Sequence, residues 1–168
     1  MISLPLPDAE AQCRLLAEAL RPRLACNPAL VGIHSGGAWI AEKLRAILDI
    51  REEIGLIDVS FYRDDFAAKG LHPQVRPTEI PFDVENRHLI LVDDVLYTGR
   101  TTRAALNELF DYGRPARIQL AVLADRGSRQ LPICADFCPW KVDLDPSQEL
   151  ILSSDANDRL QWTMARHA

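Results

Sequence analysis

The chain has 168 residues, 48% of them apolar, which is long enough for one sizeable core but short for two ordinary domains. Its net charge of −5 and pI near 5.3 argue against binding nucleic acid or anionic membrane through a general positive field, and leave only a local basic patch for such a role. The sequence contains neither an apolar run long enough to cross a membrane nor an N-terminal secretory signal. This predicts a cytoplasmic protein with no membrane partner. The cysteine spacing favours reduced thiols over a zinc site.

The first predicted elements are a helix, a strand and a second helix. Apolar residues recur at helical spacing over 8–24, with Asp8 as a plausible N-cap. A short buried strand is predicted over 29–33, followed by the loop His34-Ser35-Gly36-Gly37 and a helix over 38–48.

A long loop is predicted after a strand at 57–62. Residues 63–81 contain Pro73, Pro77 and Pro81 and few apolar side chains. Because a loop of this length is uncommon inside a compact domain and usually acts as a lid or binding loop, we expect it to be mobile without ligand.

The second half of the chain predicts a parallel sheet. The unbroken apolar run at 88–92 is typical of a central parallel strand, and a helix at 103–112 and a strand at 118–123 follow it. Shorter strand candidates lie at 142–144 and 150–152. Strands alternating with helices indicate a doubly wound α/β fold, whose ligands bind at the carboxyl ends of the strands.

Three features that together indicate a ligand-binding site lie in the segment 91–102. They are a hydrophobic strand, the adjacent carboxylates Asp93 and Asp94 at its end, and a Thr-Gly-x-Thr-Thr turn that opens a helix. Such a turn leaves backbone N–H groups free to surround a phosphate. Paired carboxylates need hydrogen-bond donors or a cation to remain ionised, and ribose hydroxyls and hydrated Mg²⁺ supply both. A solvated turn with a plain N-cap is the alternative.

This segment resembles the motif that binds 5-phosphoribosyl-1-pyrophosphate (PRPP) in type I phosphoribosyltransferases. Its sequence, Val-Asp-Asp-Val-Leu-Tyr-Thr-Gly-Arg-Thr, is similar to that of the PyrR family of bifunctional pyrimidine operon regulators and uracil phosphoribosyltransferases. Similar stretches at 30–33, 57–65 and 112–133 extend the resemblance over roughly 30–136. It implies a single domain over 1–168 with the type I fold, in which helices flank a central, mainly parallel sheet, with a flexible flap at about 63–81 and a small hood from about 125 onward.

The resemblance also implies roles for individual residues. Asp93 and Asp94 would hold the ribose hydroxyls of PRPP and, through PRPP or water, its Mg²⁺; with Arg63 they form the implied catalytic set. The remaining PRPP- and nucleotide-binding residues implied are Ser35, Gly36 and Gly37 at the pyrophosphate, Tyr62 at the flap, Tyr97, and Thr98, Gly99, Arg100, Thr101 and Thr102 around the 5-phosphate. The implied base pocket consists of Asp125, Arg126 and Val142.

Two positions depart from the family pattern. The loop 34–37 lacks the Lys or Arg that relatives commonly carry there, so weak catalysis is expected because charge develops on the leaving group. His34 is either a loop imidazole without a ligand or a pyrophosphate contact, and Arg63 and Arg76 are placed to reach the same group from the flap. Tyr97 stands where many purine-type relatives place an Asp, which favours a pyrimidine substrate; a packing role is the alternative.

The main functional prediction is a PyrR-like glycosyltransferase that binds PRPP and uridine nucleotides, converts uracil and PRPP to UMP and pyrophosphate, and regulates pyrimidine biosynthesis genes as a homodimer or higher homo-oligomer. The alternative is a non-catalytic or weakly catalytic sensor of UMP or UTP that binds a pyrimidine mRNA leader or another partner. Candidates for an RNA face, or else for solvated surface, are Arg14, Arg21, Arg23, Arg114, Arg117, Arg126 and Arg129.

Overall fold

The computed structural model describes residues 5–60 and 76–167 and contains a five-stranded sheet. Its strands are β1 (Ala29–Ile33), β2 (Gly55–Ile57), β3 (His88–Leu96), β4 (Arg117–Asp125) and β5 (Trp140–Lys141), in the order β2-β1-β3-β4-β5. Every neighbouring pair is parallel. The predicted parallel α/β sheet is therefore confirmed, and the carboxyl ends of its strands share one edge.

The helices begin close to the predicted positions. Asp8 caps α1 (Ala9–Leu20), and its carboxylate accepts the N–H of Glu10 at 3.1 Å. The helix predicted to run to residue 24 instead becomes a 3-10 turn at Arg21–Cys26, because Pro22 has no N–H and its ring clashes with an α-helical carbonyl. The other two helices, α2 (Gly36–Ile47) and α3 (Arg100–Phe110), each follow a sheet strand directly.

The sheet separates two hydrophobic clusters. On one face, Leu30, Ile90 and Val92 of the strands pack in a cluster with apolar residues of α1 and α2. On the other face, alternate strand residues such as Leu89 and Leu91 pack with Ala105 and Leu109 of α3. Because both faces are covered, the strands are apolar along most of their length, as the sequence of β3 indicates.

A second, antiparallel sheet follows the parallel one. It consists of β6 (Gln148–Ser154) and β7 (Leu160–Arg166), and we call it the hood hairpin. Two hydrogen bonds tie β7 to α1, from the indole N–H of Trp162 to Gln12 and from the N–H of Leu160 to Glu10. The sequence analysis predicted part of β6 and missed β7.

Two other strand predictions are corrected. The strand predicted from residue 57 lies at Gly55–Ile57, and Asp58 ends it because its carboxylate accepts the N–H of Ser60 at 3.0 Å and turns the chain. The candidate at 142–144 is not a strand, since β5 ends at Lys141.

Part of the predicted flap falls outside the described residues. These omit 61–75, so the roles expected of Tyr62 and Arg63, and the mobility expected of that segment, remain predictions. The chain is described again from Arg76, and Glu79 pairs with Leu56 beside β2. No helix in the described parts of the chain is long and apolar enough to cross a membrane.

Candidate active site

A cavity of about 500 Å³ lies at the carboxyl edge of the parallel sheet. The loop after β1, the end of β3 and the start of α3 contribute to it, and the hood hairpin forms a further wall. The lining contains seven of the residues predicted from sequence: Ser35, Gly36, Asp93, Asp94, Tyr97, Thr101 and Arg126. These residues come from widely separated parts of the chain, and the fold brings them to one cavity.

The two carboxylates at the end of β3 differ in exposure. Asp93 is buried, whereas Asp94 is partly exposed. One oxygen of Asp93 accepts the N–H of Asp94 at 2.9 Å, and one oxygen of Asp94 accepts the N–H of Val95 at 2.8 Å. A carboxylate can accept several hydrogen bonds or bind a hydrated cation, and Asp94 is the more accessible of the two.

The glycines of the loop 34–37 are needed because this loop lies directly against the end of β3. A Cβ atom at Gly36 would overlap the carboxylate of Asp94, and a Cβ atom at Gly37 would overlap the carbonyl oxygen of Val92. Both glycines belong to the first turn of α2, which no side chain caps at Ser35. The start of a second helix, with its N–H groups not used within the helix, therefore lies beside the carboxylate pair.

The turn at the start of α3 has the features of a phosphate cradle. Gly99 adopts the left-handed conformation, with φ of 94°, which glycine tolerates without strain. The backbone N–H of Arg100 donates to the hydroxyl of Thr98 at 3.2 Å, and the backbone N–H of Arg103 donates to the carbonyl of Gly99 at 3.0 Å. Helix geometry leaves the N–H groups of Thr101 and Thr102 without partners in the preceding turn, and Thr101 lines the cavity.

Arg126 is a buried cation beside this cavity. Its side chain is 6% exposed, and its guanidinium carbon lies 3.9 Å from the centre of the Tyr97 ring. Its Nε is buried without a hydrogen-bond partner, and among the described residues no carboxylate pairs with it. A buried guanidinium with an unused donor is costly, so its position against the cavity indicates an acceptor on a ligand.

The other two predicted base-pocket residues, Asp125 and Val142, do not line this cavity. The Asp125 carboxylate forms an ion pair with Arg129 at 2.7 Å and accepts the N–H of Gly127 at 3.0 Å. Arg129 also donates to the carbonyls of Tyr97 and Ile133. Val142 donates its N–H to the carbonyl of Asp125 at 2.9 Å. Asp125 and Val142 thus organise the loop that carries Arg126.

Part of the lining was not identified from sequence. It comprises Trp39, Val95, Pro146, Gln148, Glu149, Leu150, Ile151, Leu152 and His167. Most of these residues belong to the hood hairpin, whose placement depends on tertiary packing against α1 and α2. Glu149 and His167 approach to 3.0 Å on this wall. Two sequence signals were available for this wall: the aromatic Trp39, one turn into α2, and the strand predicted at 150–152.

The arginines proposed for an RNA face do not all share one surface role. Arg126 is buried and Arg129 is held in the hood loop, so neither contributes freely to an exposed basic face. Arg21 pairs with Glu18 at 2.8 Å. Arg14, Arg114 and Arg117 are exposed.

Comparison with known proteins agrees with the fold. The family model described as "Phosphoribosyl transferase domain" matches residues 6–148. The "Bifunctional protein PyrR" of Nitrosococcus oceani is 47% identical, and the alignment covers 97% of this chain and 96% of the relative. The protein of the same name from Pseudomonas aeruginosa strain LESB58 is 55% identical, with 92% of each chain covered.

A solved structure supports the same conclusion. The purine phosphoribosyltransferase from Pyrococcus horikoshii Ot3 superposes with a TM-score of 0.64 at 26% identity, covering 84% of this chain and 87% of the other. The predicted type I phosphoribosyltransferase fold is confirmed.

Proposed function

Because this chain belongs to the phosphoribosyl transferase domain family and, within it, to the PyrR family, we propose that it transfers the phosphoribosyl group of PRPP to uracil. The observation that carries the proposal is that one cavity contains the loop residues Ser35 and Gly36, the carboxylate pair and Thr101 of the helix start. PRPP offers a pyrophosphate, ribose hydroxyls and a 5-phosphate, for which these three groups have the appropriate chemistry.

On the sugar side, Asp93 and Asp94 accept hydrogen bonds from the ribose hydroxyls. The N–H groups and hydroxyls of Thr101 and Thr102 bind the 5-phosphate, while Thr98, Gly99 and Arg100 shape the turn. Gly36 and Gly37 bring the N–H groups of the other helix start to the pyrophosphate. Support for this division comes from the adjacency of Gly36 and Asp94, because pyrophosphate and ribose are adjacent in PRPP.

On the base side, Arg126 donates to a carbonyl oxygen of uracil. Uracil has two such acceptors and no charge, so a buried guanidinium gains the partner that the described residues do not give it. Tyr97 holds the guanidinium in place through its ring face, and Asp125 and Val142 fix the loop that bears it. Tyr97 therefore acts on the base through Arg126.

The reaction forms a bond between N1 of uracil and C1 of the ribose, breaks the bond between C1 and the pyrophosphate oxygen, and releases the N1 proton. Positive charge develops at C1 and negative charge on the leaving group. The carboxylate pair keeps the sugar in position while C1 moves between the two groups. Asp93 and Asp94 suit a hydrated Mg²⁺, which would neutralise the departing pyrophosphate when bound.

The test is a substrate panel. The purified protein is incubated with PRPP and Mg²⁺ and with uracil, cytosine, hypoxanthine or guanine, and the nucleotide formed is separated by chromatography. We expect UMP and little or no product from the other bases. Nucleotide formation from purines alone, or from none of the bases at any enzyme concentration, would contradict the proposal.

The relatives are named bifunctional, and we propose that the second role in this chain is regulatory. UMP and UTP share the ribose and the 5-phosphate of PRPP, so they fit the same cavity and can report pyrimidine supply. We propose that the nucleotide-bound protein binds a pyrimidine mRNA leader through exposed arginines, since the net charge of −5 disfavours a general field. RNA affinity should rise with UMP or UTP and fall steeply with salt. Unchanged affinity on adding either nucleotide would contradict this role.

A homodimer or higher homo-oligomer is proposed alongside these functions. Phe110 at the end of α3 and Tyr112 just after it are large apolar side chains that are 57% and 46% exposed. Together they offer neighbouring apolar surface that association with a second copy would bury. Light scattering coupled to size-exclusion chromatography measures the oligomeric state, and a monomer at micromolar concentration would contradict this proposal.

A further inference from the structure

The loop 34–37 contains no permanent positive charge, yet a cation lies beside it. A guanidinium nitrogen of Arg76 is 3.1 Å from Nδ1 of His34. Arg76 follows the segment 61–75 and is far from His34 in sequence, so the contact is tertiary. It brings an exposed guanidinium to the loop that precedes α2, a loop that itself contains no Lys or Arg.

Asp58 fixes the backbone of Arg76 at this position. One oxygen of its carboxylate accepts the N–H of Arg76 at 2.7 Å, and the other accepts the N–H of Ser60 at 3.0 Å. Burial opposes ionisation of this carboxyl, but the N–H groups of Arg76 and Ser60 keep its pKa below the ordinary value. Asp58 directly follows β2, and the carbonyl of Ile57 accepts the N–H of His34 at 2.8 Å. Arg76 is therefore anchored to the same sheet edge as the loop.

The contact also determines which His34 nitrogen carries the proton. A guanidinium only donates, so Nδ1 of His34 must accept and the proton lies on Nε2. Burial, and then the charge of Arg76, lower the pKa of His34, with Asp58 and Glu79 acting in the opposite direction. At neutral pH the imidazole is therefore a neutral donor through Nε2, and Arg76 is the cation of the pair.

We propose that Arg76 binds the pyrophosphate group of PRPP, supplying the positive charge that the loop 34–37 lacks, and that the Nε2–H of His34 donates to the same group. This inference rests on the phosphoribosyl transfer proposed above. Arg76 uses one of its five N–H donors on His34, which leaves others for phosphate oxygens. As the C1–O bond breaks and charge builds on pyrophosphate, an adjacent guanidinium stabilises the leaving group.

The ligands PRPP and UMP separate this role from a structural one. Both contain ribose and a 5-phosphate, but only PRPP carries pyrophosphate. We expect Arg76→Gln to weaken binding of Mg-PRPP and of free pyrophosphate by about ten- to a hundred-fold, the loss typical of a charge-assisted hydrogen bond, and to leave UMP affinity within about two-fold of the wild type. Calorimetry measures all three affinities.

The matched control is Arg51→Gln. Arg51 is exposed and precedes β2 at the amino edge of the sheet, so this variant loses the same charge at a distance from the cavity. It should bind all three ligands as the wild type does. An equal loss of PRPP affinity in both variants would show that net charge is responsible and would overturn the inference.

The remaining outcomes distinguish the inference from the function on which it rests. If the wild type fails to bind Mg-PRPP, the phosphoribosyl transfer proposal itself is wrong. If the wild type binds Mg-PRPP and Arg76→Gln binds it equally well, transfer stands and the role of Arg76 is refuted. If Arg76→Gln loses UMP and PRPP affinity to the same extent, Arg76 is structural and the inference is also wrong.

Discussion

The guanidinium of Arg126 stacks on the ring of Tyr97, with 3.9 Å between the guanidinium carbon and the ring centre. The stack holds a charge in a buried place where Nε has no hydrogen-bond partner. Cation–π contacts of this kind contribute about 1–2 kcal/mol when desolvated, less than the cost of burying a guanidinium without a carboxylate. The arrangement is therefore unfavourable in the free protein and becomes favourable once a ligand acceptor is bound.

Arg126→Met should separate stability from function. Methionine retains the apolar stem and removes the buried charge, so we expect an unfolding temperature equal to or above that of the wild type. The KM for uracil should rise about ten- to a hundred-fold, since a hydrogen bond to a charged group contributes about 1.5–3 kcal/mol, while PRPP affinity should change little. Thermal unfolding and steady-state kinetics provide the two measurements. A destabilised variant with normal uracil KM would show that Arg126 is structural.

Gly36→Ala should mainly weaken PRPP binding, whereas Gly37→Ala should mainly lower the stability of the fold. At Gly36 the new methyl group meets the Asp94 side chain, whose carboxylate can rotate away although its Cβ atom, at 2.9 Å, cannot, whereas at Gly37 it meets the carbonyl of Val92, which is fixed in β3. Alanine also favours the first turn of α2 by up to about 1 kcal/mol. We expect Gly36→Ala to lose less stability than Gly37→Ala and to lose PRPP binding, because the Asp94 carboxylate is displaced.

The expected effect of Gly37→Ala is a loss of about 1–3 kcal/mol in the free energy of unfolding, as for other overpacked positions. Urea denaturation measures stability in both variants, and calorimetry measures their PRPP affinity. Equal destabilisation of the two would mean that Asp94 is as rigid as the backbone, contrary to the present account.

Local sequence patterns predicted β3, the carboxylate pair and the turn before α3, because each depends on neighbouring residues. The predicted ends of α1 and β2 were wrong because each end depends on a single side chain, Pro22 for α1 and Asp58 for β2. In β7 the alternation of Leu160, Trp162 and Met164 was a usable signal, since the first two are buried and the third is partly buried against the same cluster.

Other features of the site could not be predicted because they are tertiary. The burial of Arg126 results from contact with Tyr97, which lies on a different strand end. Thr98 and Thr101 look equivalent in the sequence, yet Thr98 is buried with its hydroxyl bonded to Arg100, whereas Thr101 lines the cavity. The pairing of Arg76 with His34 likewise required the fold.

Asp94→Asn tests the carboxylate pair directly. Asparagine has nearly the same shape but no charge, so folding should be preserved while Mg-PRPP affinity falls about ten- to a hundred-fold. The increase in PRPP affinity that Mg²⁺ produces should shrink more than the PRPP affinity measured without Mg²⁺, because the cation loses its anionic partner. Asp93→Asn should act in the same direction. Asp111→Asn, at the exposed far end of α3, is the matched control. Calorimetry with and without Mg²⁺ decides, and wild-type affinity in both site variants would refute the ribose assignment.

Thr101→Val tests the phosphate cradle separately from the pyrophosphate loop. Valine keeps the side-chain volume and removes a hydroxyl that lines the cavity. PRPP and UMP share the 5-phosphate, so both affinities should fall by a similar factor, about five- to ten-fold for one lost hydrogen bond. A loss restricted to PRPP would place Thr101 at the pyrophosphate instead.

The titration of His34 tests the Arg76 contact without any ligand. Burial and the charge of Arg76 lower the pKa of His34 below its ordinary value of 6.5. As the pH falls through 6.5, the unfolded chain takes up a proton on this residue before the folded chain does. The stability that neutral His34 contributes is therefore complete above that range and is lost on acidification. Arg76→Gln removes the second cause and leaves the burial together with the opposing carboxylates Asp58 and Glu79, so the pKa of His34 should rise. NMR titration of the imidazole protons measures this value, and the resonance missing from His34→Gln identifies the signal. A pKa at or above 6.5 in the wild type, or one unchanged by Arg76→Gln, would contradict the contact on which the pyrophosphate role of Arg76 depends.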